Sequence, residues 1–331
     1  MKKILLLPVF VLLLSCESKE APSVSFYYWK TFFKLTPKEE TILETNETGK
    51  IYVRYFDVKL VNDVPVPVAP IRFDKPKPKK EIVPVVFLKN EVFLSDKVDV
   101  YDLVKKMLHL IHQINAKNRL TIQEIQIDCD WSLQSRDKFM LFLKELKKKS
   151  PKTISATIRL HQIKYFKETK VPPVDYGVLM FYNMGELNAG KGNSIYDKTI
   201  AERYLPSLKD YPLPLKVALP VYSWIIHSRN GHIVNLISKI DRKEFQNNAN
   251  FEWNDDRAEV KKNTLAKGFF FKEGDQLKVE AIHEADLKEM IELLKKYMPQ
   301  KPKEIIYFDL DQNNFNKLTN DDFFKTCNAD F

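Results

Sequence analysis

Residues 125–132 read IQIDCDWS, and this short stretch decides the fold. Its apolar, alternating beginning predicts a β-strand, in which successive side chains point to opposite faces. Asp128 and Asp130 therefore share one face, while Cys129 points to the other. In a barrel of parallel strands, this register places both carboxylates inside, near the mouth formed by the C-terminal strand ends, and Cys129 outside against the helices.

Strand-like runs occur along the whole chain, and helical patterns separate them. The runs are Phe26–Phe33, Ile51–Val58, Ile82–Leu88, Ile122–Asp130, Ile154–His161, Gly177–Asn183, Leu215–Tyr222 and Glu304–Asp309. Between them, apolar stripes at helical spacing begin at Val100, Phe139 and Leu287. Such alternation predicts a parallel sheet covered by helices, and about eight units in ~300 residues match a (β/α)8 barrel. We therefore predict an α/β fold with one TIM-barrel-like domain over residues 24–331.

Two segments depart from this scheme. Residues 62–80 hold five prolines and several lysines, which indicates an extended loop lying on the surface. Residues 251–280 contain three consecutive phenylalanines at 269–271 and a turn at Gly274-Asp275. This pattern predicts a hairpin inserted before the last helix.

The N-terminus has the pattern of an export signal. Two lysines precede an apolar run over residues 4–14, which is too short for a membrane span of ~20 residues. The run ends in LLSC at 13–16, which resembles the lipobox of bacterial lipoproteins, whose cysteine is lipidated. We therefore expect a signal peptide over 1–15, lipidation at Cys16 and a polar tether over 16–23. The expected product is an exported lipoprotein of the bacterial cell envelope, anchored to a membrane by lipid; a plain secretory signal with an accidental cysteine is the alternative.

The cysteine count limits how the fold can be stabilised, and the net charge limits which molecules the protein can bind. Cys129 and Cys327 are the only cysteines besides Cys16, so the fold must rest on its apolar core rather than on a disulfide scaffold. The formal net charge is +9. Outside the cytoplasm this charge favours anionic lipid head groups or acidic polysaccharides over nucleic acid as partners. The simpler explanation of the positive charge is that it comes from lysine-rich faces exposed to solvent, such as residues 147–149.

Polar and aromatic residues collect at the predicted strand ends, where barrel sites are built. Asp128 and Asp130 repel each other, so one of them should have a raised pKa, as general acid catalysis of glycoside cleavage requires. We predict this pair as catalytic. The same parity argument predicts substrate contacts from Arg54, Asp57, Arg159, His161, Tyr182, Tyr222, Trp224 and Asp309.

Four segments resemble those of a bacterial family named domain of unknown function 3142. They are YVRYFDV at 52–58, IDCDW at 127–131, SATIRLHQ at 155–162 and MFYNMG at 180–185. The resemblance covers most of the mature chain. That family has no assigned activity, so the resemblance implies no function.

The sequence resembles, more distantly, the chitinase-like glycoside hydrolases of family 18. Their fourth strand ends in Asp-x-x-Asp-x-Asp-x-Glu, and the matching positions here are Ile125, Asp128, Asp130 and Ser132. Their sixth strand carries Met-x-Tyr-Asp, matched by MFYN at 180–183, and LKVALPVY at 215–222 is similar to their seventh strand. The resemblance implies a TIM barrel, and it adds Trp131 and Asn183 to the residues expected to contact a glycan.

One departure from family 18 is serious, because the glutamate that donates the proton there is Ser132 here. A serine hydroxyl cannot protonate a leaving oxygen at neutral pH. The sequence therefore leaves open whether this is an enzyme. The leading hypothesis is an exported lipoprotein whose barrel binds, and in one version cleaves, a glycan at the C-terminal ends of the strands. The alternative is a non-catalytic glycan- or protein-binding envelope lipoprotein.

The same acidic and basic residues also allow a structural interpretation. Asp128, Asp130, Arg54 and Arg159 could form a buried ion network that fills one layer of the barrel. Tyr27 and Trp29 could likewise form a platform for a sugar ring or pack the first strand.

We predict no cofactor and no metal. Glycine is rare, with 8 residues, and no GxGxxG pattern exists for a dinucleotide. His109 and His112 share a helix face, but no acidic third ligand is spaced with them. The predicted partners are a glycan, acidic ones included, and a membrane reached through the lipid anchor.

Overall fold

The structure is a computed structural model that describes residues 20–74, 78–239, 243–316 and 318–331. The predicted signal peptide and the lipidation site at Cys16 lie outside the described residues. Among the residues that are described, no helix is long and apolar enough to cross a membrane.

The described residues form strands and helices that alternate along most of the chain. The strands are β1 (Ser23–Tyr28), β2 (Phe32–Phe33), β3 (Lys50–Val61), β4 (Val64–Val68), β5 (Arg72–Phe73), β6 (Glu81–Leu88), β7 (Glu124–Asp128), β8 (Thr153–Arg159), β9 (Tyr176–Met180), β10 (Leu215–Pro220), β11 (Ser223–Arg229), β12 (His232–Ser238), β13 (Phe251–Asn254), β14 (Arg257–Val260), β15 (Thr264–Ala266), β16 (Phe269–Phe271), β17 (Gln276–Ala281) and β18 (Glu304–Phe308). The helices are α1 (Pro37–Thr45), α2 (Glu91–Leu94), α3 (Val100–Asn118), α4 (Arg136–Lys149), α5 (Leu160–Lys164), α6 (Phe166–Thr169), α7 (Lys198–Glu202), α8 (Lys243–Gln246), α9 (Glu284–Tyr297), α10 (Gln312–Phe315) and α11 (Phe323–Ala329), with a 3-10 helix at Leu205–Asp210.

Eight parallel strands close into a barrel in the order β1-β3-β6-β7-β8-β9-β10-β18, and β18 pairs again with β1. Each of them corresponds to one of the eight predicted strand-like runs, so the predicted (β/α)8 fold is confirmed. The strands are buried on both faces, because one face packs inside the barrel and the other, apolar face packs against the helices. On α4, for example, Phe139, Phe142 and Leu143 are fully buried against the barrel.

A polar network occupies the barrel interior at the N-terminal ends of its strands. The ammonium of Lys216 lies 2.5 Å from Glu304 Oε2 and donates a hydrogen bond of 2.7 Å to the Tyr176 hydroxyl. Glu124 accepts hydrogen bonds from Ser155, at 2.9 Å, and from Tyr176. Both glutamates are buried, so their charges are balanced from within the barrel.

A second, antiparallel sheet is inserted between β10 and α9. Its strand order is β12-β11-β17-β14-β13, and β15 and β16 form a separate hairpin beside it. Phe245, Phe251 and Phe271 build a small core of its own. The predicted hairpin at 251–280 was therefore wrong in extent, because the insertion already begins at β11 and contains a five-stranded sheet.

The proline-rich segment at 62–80 is also more ordered than an extended loop. β4 pairs with β3 through a two-residue turn at Asn62 and Asp63, both of which have positive φ angles of 51° and 64°. β5 pairs with β2, and residues 75–77 lie outside the described part. Prolines are tolerated in β4 because it is an edge strand, and an edge strand needs partners on one side only.

Candidate functional site

A cavity of about 540 Å³ opens at the C-terminal ends of the barrel strands. Both residues predicted as catalytic line it, together with eight of those predicted to contact substrate. These ten are Asp128, Asp130, Arg54, Asp57, Arg159, Tyr182, Asn183, Tyr222, Trp224 and Asp309. The structure thus brings them together from six barrel strands and the loops that follow, and their roles remain predictions. We call this opening the mouth.

Asp128 ends β7 and is the most deeply buried carboxylate of the predicted catalytic pair. The hydroxyl of Thr157, on the neighbouring β8, donates a hydrogen bond of 2.6 Å to its Oδ1. Burial raises the pKa of Asp128 to about 6; Asp130 and Asp57 also raise it, while the Thr157 hydrogen bond and Arg159 lower it. Near neutral pH this group can therefore hold or release a proton.

Asp130 differs from Asp128 although both face the same cavity. Its side chain is 46% exposed and forms an ion pair with Arg159 at the end of β8. Asp130 thus has a guanidinium as its partner, whereas Asp128 has a hydroxyl. The two acids thus have different environments, which is the condition for different roles.

A second acid–arginine pair comes from β3. Arg54 donates two hydrogen bonds to Asp57, from Nε to Oδ1 at 2.7 Å and from Nη2 to Oδ2 at 2.6 Å. A bidentate pair of this kind fixes both side chains in one orientation. β3 has an irregular register with β6 between Arg54 and Phe56, which brings Arg54 and Asp57 to the same side of the strand.

Asp309 follows the last barrel strand and is buried. Its Oδ1 accepts a hydrogen bond of 2.8 Å from Asn314. Its Oδ2 lies 3.0 Å from the ammonium of Lys239, an ion pair whose geometry does not meet the criteria for a hydrogen bond. Lys239 comes directly after β12, so the inserted sheet supplies a charge to the mouth.

Aromatic side chains cover one wall of the cavity. Phe308 is at its centre, with ring centroids 5.5 Å from Trp29, 5.6 Å from Tyr27 and Tyr182, and 5.7 Å from Tyr222. Tyr27, in β1, and Trp29, just after it, thus line the cavity and also pack against neighbouring rings. The wall offers ring faces and edges in a fixed arrangement beside the charged pairs.

Trp224 extends this wall from the first strand of the insertion. Its ring centroid lies 5.2 Å from that of Tyr222, and its indole nitrogen donates a hydrogen bond of 2.8 Å to Glu280. Burial acts to raise the pKa of Glu280, but hydrogen bonds from Lys278, Ser194 and Trp224 hold it below its ordinary value. Glu280 is thereby kept as a carboxylate that positions the indole.

Two predicted contacts do not line the mouth. Trp131 is buried against Phe139, at 5.0 Å between ring centroids, and its indole donates to the Thr169 carbonyl. It is a core residue that packs against α4, and the resemblance to family 18, rather than strand parity, had placed it among the glycan contacts. His161 was assigned to a strand but lies exposed on α5, which begins at Leu160.

Ser132, at the position of the family 18 glutamate, also points elsewhere. Its hydroxyl lies 3.3 Å from that of Ser135, and its backbone N–H donates to the same Ser135 oxygen at 2.9 Å. Ser132 is not among the residues that line the cavity. It therefore takes no part in the acidic cluster at the mouth.

Sequence reasoning missed several residues that complete the cavity. Phe308 was missed because the prediction took Asp309 from the end of this strand, and Phe308 is the residue before it. Thr157 could have been found by parity, since it lies two residues before Arg159 on the same strand. Leu236, Ser238 and Lys239 reach the mouth from β12 and the loop after it, and no local pattern predicts that contact.

Comparisons with known proteins agree with the fold. The spore cortex-lytic enzyme SleL of Bacillus cereus superposes with a TM-score of 0.56 and 13% identity, over 94% of this chain and 75% of that one. A chitinase from Chromobacterium violaceum gives 0.54 and 10%, over 94% and 99%. A chitinase from Bacteroides thetaiotaomicron gives 0.52 and 13%, over 88% and 91%.

The sequence matches no family model, and a search of curated proteins also finds no match. The resemblance to domain of unknown function 3142 therefore stays a prediction. At such low identities the structural neighbours establish the fold alone, which is the glycoside-hydrolase-like barrel of family 18 chitinases and SleL.

Proposed function

We propose that this chain binds a glycan in the mouth of its barrel. The observation that carries the proposal is the aromatic wall around Phe308, set beside fixed acid–base pairs in one concave site. Ring faces can cover the C–H faces of a sugar, and the paired polar groups can exchange hydrogen bonds with its hydroxyls.

The charge of the site favours a neutral glycan over an acidic one. Four carboxylates and three cations line the cavity: Asp57, Asp128, Asp130, Asp309, Arg54, Arg159 and Lys239. Each cation is engaged by one of the carboxylates. An anionic sugar would have to compete for a cation that is already paired, whereas a neutral sugar would not.

Hydrolysis of the bound glycan is a second candidate, and Asp128 is the observation that favours it. A carboxyl group with a pKa of about 6 can donate a proton to a leaving oxygen, and the Arg159-paired Asp130 can stabilise positive charge on the sugar. The chitinases among the structural neighbours make oligomers of N-acetylglucosamine the first probes to try.

We retain the export prediction within the proposal. A lipidated Cys16 would hold the barrel at a membrane of the cell envelope, where glycans are abundant. Metabolic labelling with a radioactive fatty acid tests this point, and the label is expected to disappear in Cys16→Ala.

Binding is tested by titrating neutral oligosaccharides into the chain from Glu17 to Phe331 and following tryptophan fluorescence, because Trp29 and Trp224 line the cavity. Trp224→Ala should weaken binding about tenfold or more. Phe270→Ala, which removes an exposed ring of the insertion that does not line the cavity, is the matched control and should bind normally. Equal affinity of Trp224→Ala and wild type would contradict the proposal.

Cleavage is tested on the same oligosaccharides by mass spectrometry of new reducing ends. If Asp128 is the acid, turnover should fall as the pH rises through about 6, since the group then loses its proton. Asp128→Asn should abolish product while retaining binding. Binding without any product from the wild-type chain would support the non-catalytic alternative.

A further inference from the structure

The N-terminal face of the barrel, opposite the mouth, is the second surface with a distinct character. The described chain enters the barrel there, because Ser23 begins β1 and its backbone N–H bonds to the carbonyl of Lys303, at the start of β18. Glu20 lies on the same face, where its carbonyl accepts a hydrogen bond of 3.2 Å from Lys301. Cys16 is four residues further back, a reach of at most about 14 Å.

Helix C-termini meet on this face, and they carry the positive charges. The helices of a (β/α)8 barrel run opposite to its strands, so α3, α4 and α9 end where β7, β8 and β18 begin. The exposed cations at or after these ends are Lys117, Arg119, Lys148, Lys149, Lys296, Lys301 and Lys303. We call this set the basic face.

Few acids balance the basic face. In the described part of the chain, Lys147 pairs with Asp175 at 2.8 Å and Lys325 pairs with Glu47, so those charges cancel. Exposed Glu20, Glu44, Asp210, Glu292 and Asp330 also lie on this side, and they are fewer than the seven cations of the basic face. The result is a surface of net positive charge around the point where the N-terminal segment leaves.

A recess of about 520 Å³ lies within this surface, between the start of β10 and the loop that precedes β18. Lys301 and Lys303 line it beside apolar side chains that include Leu213 and Met298. Cations next to apolar groups match the phosphate and the glycerol–acyl boundary of a phospholipid.

We propose that the basic face lies on an anionic phospholipid membrane, so that the mouth points away from the lipid. The short reach from Cys16 and the charge of the surface act in the same direction. Lysines in the last turn of a helix also complement the helix dipole, which is a stabilising effect unrelated to membranes. The proposal does not depend on glycan binding, and the two can fail separately.

The test measures sedimentation of the unlipidated chain from Glu17 to Phe331 with vesicles. Phosphatidylcholine vesicles containing phosphatidylglycerol should bind it, and pure phosphatidylcholine vesicles should not. Binding should weaken as salt is raised from 50 to 500 mM, because surface charges are screened. The variant K148E/K149E/K303E should reduce the partition coefficient at least tenfold.

The matched control is K89E/K262E/K272E, which makes the same change in net charge at exposed lysines after β6 and in the insertion. It should change partitioning less than about threefold. An equal loss in both variants would show attraction by net charge alone and overturn the proposal. Absence of binding by the wild type, or binding to an immobilised anionic polysaccharide but not to vesicles, would also overturn it.

Discussion

The two ends of the barrel interior use the same residue types for different purposes. At the N-terminal end, Glu124 and Glu304 are buried, Lys216 is 14% exposed at the edge of a recess, and tyrosine and serine hydroxyls satisfy the carboxylates. At the mouth, Asp128 is buried, no cation of the described residues forms a salt bridge with it, and the acid–arginine pairs border a cavity. The comparison shows that cations and hydroxyls partner both glutamates of the N-terminal layer, whereas Asp128 at the mouth is only partly neutralised. We infer that the mouth thereby keeps groups available for a ligand.

The sequence also allowed a purely structural role for Asp128, Asp130, Arg54 and Arg159, and that alternative stays open. The structure places these four residues at the mouth, and it adds a second network of Lys216, Glu124 and Glu304 at the other end. If this distinction is correct, equivalent substitutions at the two ends should have unequal effects.

The largest difference in stability is expected between Lys216→Met and Arg159→Met. Removing the Lys216 ammonium takes the cation from buried Glu304 and leaves Glu124 with Lys50 alone, 3.7 Å away, so it should cost about 3 kcal/mol. Arg159 is 28% exposed and its partner Asp130 is 46% exposed, so its loss should cost less than about 1 kcal/mol. Urea unfolding measures both, and equal losses would remove the distinction between the two ends.

The next effect is a gain in stability from Asp128→Asn. Folding raises the pKa of Asp128 from 3.8 to about 6, so the charged form destabilises the fold once the pH exceeds both values. The stability that this carboxyl contributes is therefore present below about pH 4 and lost as the pH rises through 6. This rise in pKa corresponds to about 3 kcal/mol, which the variant should gain at pH 8 and not at pH 4.

Asp130→Asn is the control for this experiment. Its side chain is half-exposed and paired with Arg159, so the substitution should leave stability within about 1 kcal/mol of wild type at both pH values. A loss of stability in Asp128→Asn at pH 8 would mean that the buried carboxylate is satisfied by its surroundings, like those at the other end.

The smallest expected effect compares two hydroxyls. Tyr176→Phe removes a donor from the buried carboxylate of Glu124 and should cost about 2 kcal/mol. Tyr222→Phe removes a donor from the neutral amide of Asn183 and should cost about 1 kcal/mol. Thermal unfolding of both variants in one buffer is sufficient, and the reverse order would contradict the comparison.

Much of the barrel could be predicted because its strands are buried on both faces and give strong local patterns. The parity of β7 also predicted correctly that Asp128 and Asp130 face one cavity. His161 was misplaced because the side chain of Gln162 accepts a hydrogen bond from the Arg159 backbone and begins α5 there, which ends the strand early. Whether residues 160–162 continue the strand or begin a helix depends on this one hydrogen bond, which the spacing of apolar residues does not reveal.

The inserted sheet could not be recognised in the same way. β12 has exposed apolar residues, among them Ile233 and Leu236, so its pattern of burial does not alternate cleanly. Its contribution to the mouth depends on how the insertion packs over the barrel. Lys239 and Trp224 therefore line the cavity because the insertion packs beside the barrel mouth. Of the two, only Trp224 was predicted, from its position after the seventh strand.

The most direct test of the central claim is hydrogen–deuterium exchange of the chain with and without a saturating neutral oligosaccharide. We predict slower exchange in the segments after β9, β10 and β18, at 183–195, 221–239 and 309–314. Exchange should be unchanged at the N-terminal end of the barrel, at 46–50, 119–123 and 211–215. Protection at those latter segments, or at neither end, would contradict a glycan site at the mouth.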